Sequence, residues 1–262
     1  MNKLTFALAL GAGLVLSLAG PSVHAAPIVQ QLATPSMTSA EFNSLFQPIP
    51  GAAPILSSYQ FLNTPTTGMV DSQVFQGTGA AAGLYAYAYQ IAVNNVSDVN
   101  GQPTSVNSAS LSFNSTPTPA SFTTGGTPSS VYVVNDGQVG GINLPQAAPG
   151  SVIQAPTSVA WMPGSKTGAL TFQYLDAASN TGPLQAGANS ATIVVLTTQP
   201  YTTQPVSLQN ADPQIVYPTA YSAQGGVIQQ VPVPEPATAL AWAGMIGAVA
   251  LVRHVRRNRQ AA

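Results

Sequence analysis

Leu84-Tyr85-Ala86-Tyr87-Ala88-Tyr89-Gln90-Ile91-Ala92-Val93 alternates large and small side chains with a period of two. In an extended chain, successive side chains point to opposite faces. Tyr85, Tyr87, Tyr89, Ile91 and Val93 therefore share one face, and Ala86, Ala88, Gln90 and Ala92 the other. The stretch is a strand. Shorter segments with strand character follow at Ala109–Phe113, Val131–Val134, Ser158–Trp161, Ala169–Tyr174, Thr192–Thr198 and Gln214–Tyr217. Gly, Pro, Asn and Asp clusters separate them, among them Asn135-Asp136-Gly137, a hairpin-type turn. Many short strands, Pro/Gly-rich connections and no fixed-period repeat predict an all-β fold, an antiparallel β-sandwich over residues 53–230. Residues 26–52 read as a polar leading segment. Within it Thr38-Ser39-Ala40-Glu41 is a capping box, with Phe42, Leu45 and Phe46 at helical spacing, and Pro48 and Pro50 predict the end of that helix.

Composition excludes much. Charged residues make up 5% of the 262, against about 25% in an average soluble domain. Residues 26–230 carry six carboxylates (Glu41, Asp71, Asp98, Asp136, Asp176 and Asp212) and one cation, Lys166. One lysine cannot displace counterions from a run of phosphates, which excludes nucleic-acid binding. The same stretch has no His and no Cys. It can build no His-based triad, thiol nucleophile, zinc site, haem ligation or disulfide, and no cofactor is expected.

The two ends read differently. Met1-Asn2-Lys3 gives a positive start, Leu4 to Ala19 is uncharged and apolar, Gly20-Pro21 breaks the helix, and Val23-His24-Ala25 leads to a cut between Ala25 and Ala26. That is the layout of a secretory signal peptide over residues 1–25; the competing reading, a retained anchor, lacks a stop-transfer charge cluster. At the other end Val231-Pro232-Val233-Pro234-Glu235-Pro236 precedes an apolar run, 237–252, and then Arg253, Arg256, Arg257 and Arg259. Alternating prolines stiffen the approach, and Pro236 suits a helix start. A helix over 237–252 rises ~24 Å, a little under the ~30 Å hydrocarbon core, and Trp242 and snorkelling arginines make up the difference. The arginines favour the cytoplasmic side, which places residues 26–230 across the membrane.

Val233, Pro234, Glu235 and Pro236, the apolar helix, the basic cluster and the signal peptide together resemble the PEP-CTERM sorting signal of Gram-negative bacteria, over residues 231–262. The same segment type is catalogued as an ice-binding-protein C-terminal domain. The resemblance implies export by the secretion machinery and recognition by an exosortase, a membrane enzyme that processes the signal near the tetrad. It implies a membrane-anchored precursor that crosses the inner membrane, then a cell-surface or extracellular protein linked to exopolysaccharide and to biofilm or floc formation. The helix is Ala/Gly-rich rather than Leu-rich, and His254, Val255 and Asn258 interrupt the arginines. Trp161, the run Leu184-Gln185-Ala186-Gly187-Ala188-Asn189-Ser190 and the Val-rich stretch 191–198 are similar to a layout found in PEP-CTERM ectodomains. That likeness transfers no active site.

The candidate sites are few. Tyr85, Tyr87 and Tyr89 form a row suited to stacking against sugar rings. Ile91 and Val93 continue the same face, which favours it as the buried side of the sheet. A glycosidase needs two carboxylates about 5–10 Å apart, and no two lie close in the sequence. Asp98-Val99-Asn100-Gly101 fails the calcium-loop spacing, and Gly164-Ser165-Lys166-Thr167 lacks the glycine that a phosphate loop needs before its lysine. Asn95-Val96-Ser97 and Asn114-Ser115-Thr116 fit the glycosylation pattern by coincidence. Thr123-Thr124 and Thr202-Thr203 are isolated pairs, with no flat threonine array for ice. The sequence thus predicts a non-catalytic, metal-free surface protein. The alternative is an extracellular polysaccharide hydrolase using two of the six carboxylates.

Overall fold

The tyrosine-rich stretch is the central strand of the more deeply covered of two seven-stranded sheets, beside which Ser105–Val106 and Leu184–Gln185 pair as a small two-stranded one. A computed structural model describes residues 29–229 except 63, 97–103, 123–125, 135–138, 141, 143–152, 165–166, 177, 179, 211–214 and 227. Along the chain run β1 (Gln30–Leu32), β2 (Ser36–Met37), the helix α1 (Ser39–Leu45), β3 (Phe46–Pro48), β4 (Ile55–Gln60) and β5 (Thr67–Gly77). After a 3-10 turn (Gly79–Ala81) come β6 (Tyr85–Val93), β7 (Ser105–Val106), β8 (Ser108–Phe113), β9 (Val131–Val134) and β10 (Ser158–Met162). The last six are β11 (Gly168–Gln173), β12 (Leu184–Gln185), β13 (Thr192–Thr197), β14 (Tyr201–Gln209), β15 (Ile215–Val216) and β16 (Thr219–Ala223). The described chain is therefore mostly strand, with one short helix.

One seven-stranded sheet has the order β2-β9-β13-β6-β5, and β3 and β4 share the free side of β5. The other has the order β1-β10-β11-β8-β14, with β15 and β16 sharing the free side of β14. Among the described strands every pairing is antiparallel except β2 with β9, and the single bridge Gln154–Ser190 is also parallel. The two sheets face each other across one core. Tyr87, Tyr89, Ile91 and Val93 from β6 meet Leu111, Phe113, Trp161, Leu170 and Phe172 from the other sheet.

Strand β16 ties the layers together. It pairs with β14, while its Tyr221 amide donates to Ser72 Oγ at 3.0 Å and its Thr219 amide to Ser57 Oγ at 3.1 Å. The Tyr89 hydroxyl donates to the Tyr221 carbonyl at 2.8 Å.

The alanines of the Tyr/Ala alternation have their own role. Ala86 and Ala88 lie on the outer face of their sheet, in a second core with Phe42, Phe46, Phe75, Tyr132, Val194 and Leu196. Small side chains there leave room for three phenyl rings. Phe42 stacks on Phe46 at 5.1 Å and meets Phe75 edge-on at 4.9 Å. Helix α1 begins at the expected capping box: the Glu41 amide donates to Thr38 Oγ1 at 3.1 Å, and the Thr38 amide donates to Glu41 Oε2 at 2.8 Å. It ends at Leu45, before either proline, because Phe46 turns extended (φ −128°) and pairs with Gly77.

The leading segment is part of the fold. Residues 30–48 supply β1 to one sheet and β2 and β3 to the other. Strands β4, β5, β7, β12, β14 and β16 lie outside the segments read as strands from the sequence. The Asn135–Gly137 turn lies outside the described residues, as do the signal peptide, residues 231–262 and the apolar run 237–252. No helix among the described residues is long and apolar enough to cross a membrane.

Candidate functional site

A groove of about 620 Å³ opens where β2, α1 and the segment 120–129 meet. One wall is Ala33 to Met37, a second is Glu41, Ser44 and Leu45, and the third is Phe122, Gly126, Thr127, Ser129 and Tyr132. Its shape follows from local bonding. The Val133 amide donates to the Pro35 carbonyl at 3.0 Å, which turns Pro35 and Met37 toward β9 and leaves the Ser36 backbone N–H and C=O facing away. Ser129 Oγ donates to the Ala33 carbonyl at 2.7 Å and fixes the first wall to the third. Ala120 and Ser129 exchange amide hydrogen bonds at 3.0 and 2.9 Å and close their segment into a loop. The Tyr132 hydroxyl donates to the Ala120 carbonyl at 2.7 Å. Phe122 rests edge-on against Phe46 at 5.7 Å and near Tyr132 at 5.6 Å.

The chemistry available in the groove is limited. Among its described lining residues Glu41 is the one charged side chain, and Oε2 of that carboxylate already accepts hydrogen bonds from the Thr38 amide and, at 2.9 Å, the Thr38 hydroxyl. Burial raises the Tyr132 phenol above its usual range, with a backbone hydrogen bond at Ser129 pulling the other way, so it is a neutral group at physiological pH. The lining offers apolar and aromatic surface with hydroxyls at Thr34, Ser36 and Thr127. The described lining suits an uncharged ligand and holds no acid–base pair.

The tyrosine row lies elsewhere. Tyr87 and Tyr89 are 0% and 2% exposed, and Tyr85 is partly buried against the same core. The hydroxyl of Tyr87 donates to the Gln199 carbonyl at 2.9 Å. Tyr87 and Tyr89 thus present no ring face to a sugar, because the second sheet covers them.

The described carboxylates sit on three separate elements. Glu41 caps α1, and Asp71 is buried in the middle of β5 opposite Gln90. Asp176 closes a turn, its Oδ1 accepting from the Ala178 amide at 2.9 Å. Among the described residues no group of three or more His, Cys, Asp or Glu is placed to hold a metal ion. Asp98, Asp136, Asp212, Lys166, the cleavage pair Ala25 and Ala26, the tetrad Val233 to Pro236 and Arg253, Arg256, Arg257 and Arg259 lie outside the described residues.

The run from Leu184 to Ser190 forms an internal plug. Leu184 and Ser190 are fully buried, and Gly187 takes φ 75°, a conformation that favours glycine. Ser190 Oγ accepts from the Ile91 amide and donates to the Ala191 carbonyl, both at 2.9 Å. Near the opposite end of the chain, Gln229 is pinned in place. The Trp161 indole N–H donates to its carbonyl at 3.0 Å, and its amide donates to Thr116 Oγ1 at 2.8 Å. No family model, curated protein or solved structure matches this chain.

Proposed function

We propose that this is an exported, non-catalytic cell-surface or matrix protein. In this reading a β-sandwich ectodomain enters the secretion machinery by its signal peptide and is then handled at the membrane, through residues 231–262, by an exosortase. The observation that carries the reading is the ordered series of tetrad, apolar run and arginine cluster after Gln230. Among the described lining residues of the groove, Glu41 is the one carboxylate, and its Oε2 is engaged by the Thr38 amide and hydroxyl. An association with exopolysaccharide follows from the resemblance alone.

The test is Glu235→Gln in the native host. The substitution keeps size and helix compatibility and alters a helix-terminus interaction by only about 0.3–1 kcal/mol, which a passive anchor would hardly register. A processed signal instead accumulates as a membrane form still carrying residues 231–262, and so does the wild type in cells lacking the exosortase. Release of wild-type-mass protein by both strains refutes the reading.

A further inference from the structure

We infer that Gln90 and Thr192 become joined, once the chain has folded, by an ester bond between their side chains. The two residues face each other on β6 and β13: Ile193 pairs with Tyr89 in an antiparallel ladder, and the next step along it sets Thr192 beside Gln90. Their side chains are already in contact, Gln90 Nε2 donating to Thr192 Oγ1 at 2.6 Å. With a carboxamide C–N bond of ~1.33 Å, that places the hydroxyl oxygen about 3.5 Å from Cδ of the amide, close to the separation of reacting atoms. Water is kept out, since Gln90 is 6% exposed and Thr192 0%. On the other side of Gln90, β5 sets Asp71, also buried, directly opposite. Asp71, Gln90 and Thr192 thus make one row across three adjacent strands, and cross-strand partners share a face. Other hydroxyl–carboxamide contacts lack this setting. Thr67 with Asn94 at 2.9 Å and Thr198 with Gln199 at 3.4 Å are exposed, and Ser108 with Gln209, at 3.5 Å, is only partly buried.

The reaction balances without any added reagent. Thr192 Oγ1 attacks Cδ of Gln90; the Cδ–Oγ1 bond forms, the Cδ–Nε2 bond breaks, and the hydroxyl proton leaves on the nitrogen as ammonia. Nothing is oxidised or reduced. In open solution a hydroxyl is too dilute and too outnumbered by water to displace an amide nitrogen. Within the sheet the pair is held in register, where effective concentrations of about 10⁵ M or more are reached, and the ammonia escapes to solvent. Asp71 is a positioning residue: from the far side of the carboxamide its carboxyl steadies the group and keeps Cδ turned toward the hydroxyl. The product is a staple between strands 102 residues apart in a chain that has no cysteine. It closes a long loop that the unfolded chain could no longer open. This is a single-turnover self-modification of the folded domain, and it does not rest on the sorting reading.

Intact mass of the folded protein is the direct test. Wild type should weigh about 17 Da less than the residues it contains, the mass of one ammonia. Peptic digestion should yield one species carrying Gln90 and Thr192 together. Base treatment of the denatured protein should hydrolyse the ester, add one water and separate the two peptides. Thr192→Val removes the nucleophile and should restore the full mass, whereas Thr192→Ser keeps a hydroxyl and should keep the loss. Asp71→Asn should slow the loss about tenfold or more with the far-UV strand signal unchanged, and Asp71→Glu should recover part of the rate. Folded wild type at its full mass overturns the proposal. Ammonia lost without a link between residues 90 and 192, as from a succinimide at Asn100-Gly101, overturns it as well. An unchanged rate in Asp71→Asn overturns the role given to that carboxyl. None of these readouts passes through residues 231–262, so this inference and the sorting reading fail separately.

Discussion

Raised above pH 10, the protein should unfold over a narrow interval, and its buried tyrosines should ionise only as it does so. Burial holds the phenols of Tyr59, Tyr87, Tyr89 and Tyr174 well above their ordinary value of 10.0, and neighbouring phenols push the first three in the same direction. Burial also raises Tyr132 and Tyr221. A group whose folded pKa lies above its unfolded value favours the folded state fully below the unfolded pKa, and that advantage is lost as pH climbs toward the folded one. Each such phenol removes about 1.4 kcal/mol per pH unit once the unfolded chain begins to ionise near pH 10. Four together remove about 5 kcal/mol per unit, against a total stability of about 5–15 kcal/mol for a domain. Collapse is expected between roughly pH 11 and 13. Phenolate absorbance and loss of the far-UV strand signal should then coincide for these side chains. Full ionisation of the nine tyrosines near pH 10 with the sheet signal intact would rule this out. In Tyr87→Phe the dependence on pH should be about a quarter shallower.

Trp161→Ala should be the most damaging single truncation, and it should make a second substitution harmless. The indole is fully buried between the sheets, so its removal costs about 3–5 kcal/mol, with about 1 kcal/mol more from the lost bond to Gln229. Gly168 lies directly against that ring: a Cβ there would overlap the indole's six-membered edge. Gly168→Ala alone should cost about 1–3 kcal/mol or more through overpacking. In the Trp161→Ala background the new methyl enters vacated space, and its cost should fall to near zero. Urea midpoints of the four proteins give the coupling, about 1–3 kcal/mol in favour of the double variant. Simple additivity would mean that the ring moves aside easily, and the close packing described here would be wrong.

What could be read from the sequence tracks how many faces of an element are covered and by what. The stretch from Tyr85 to Val93 reads clearly because its two faces differ in size, with tyrosines between the sheets and alanines under α1. Strand β5 is longer yet hides. Val70 and Val74 point into one core and Phe75 into the other, and Asp71, Ser72 and Gln73 break the apolar run although all three are buried. A two-sided burial that includes polar groups satisfied from distant residues, such as Ser72 by Tyr221, leaves no alternation to find. Strand β14 contains Pro205, which marks a sequence as non-strand. It is tolerated at the point where pairing with β16 gives way to pairing with β8 and β15. The helix was legible because a capping box is a local signal. The groove was not: its walls come from residues 33–45 and 122–132, and no motif spans the two.

Both sheets recruit strands from the two ends of the chain. Strand β1 waits for β10, and Ser72 waits for Tyr221, 149 residues later. No contiguous half of the sequence owns a complete sheet, so partial folding from either end leaves unpaired edges and an uncovered core. A chain threaded end-first through a narrow pore would stay extended until Thr219–Ala223 had emerged, and would then close in one late, cooperative step. For a chain exported as proposed above, release from the channel rather than synthesis would set the moment at which the shape is acquired.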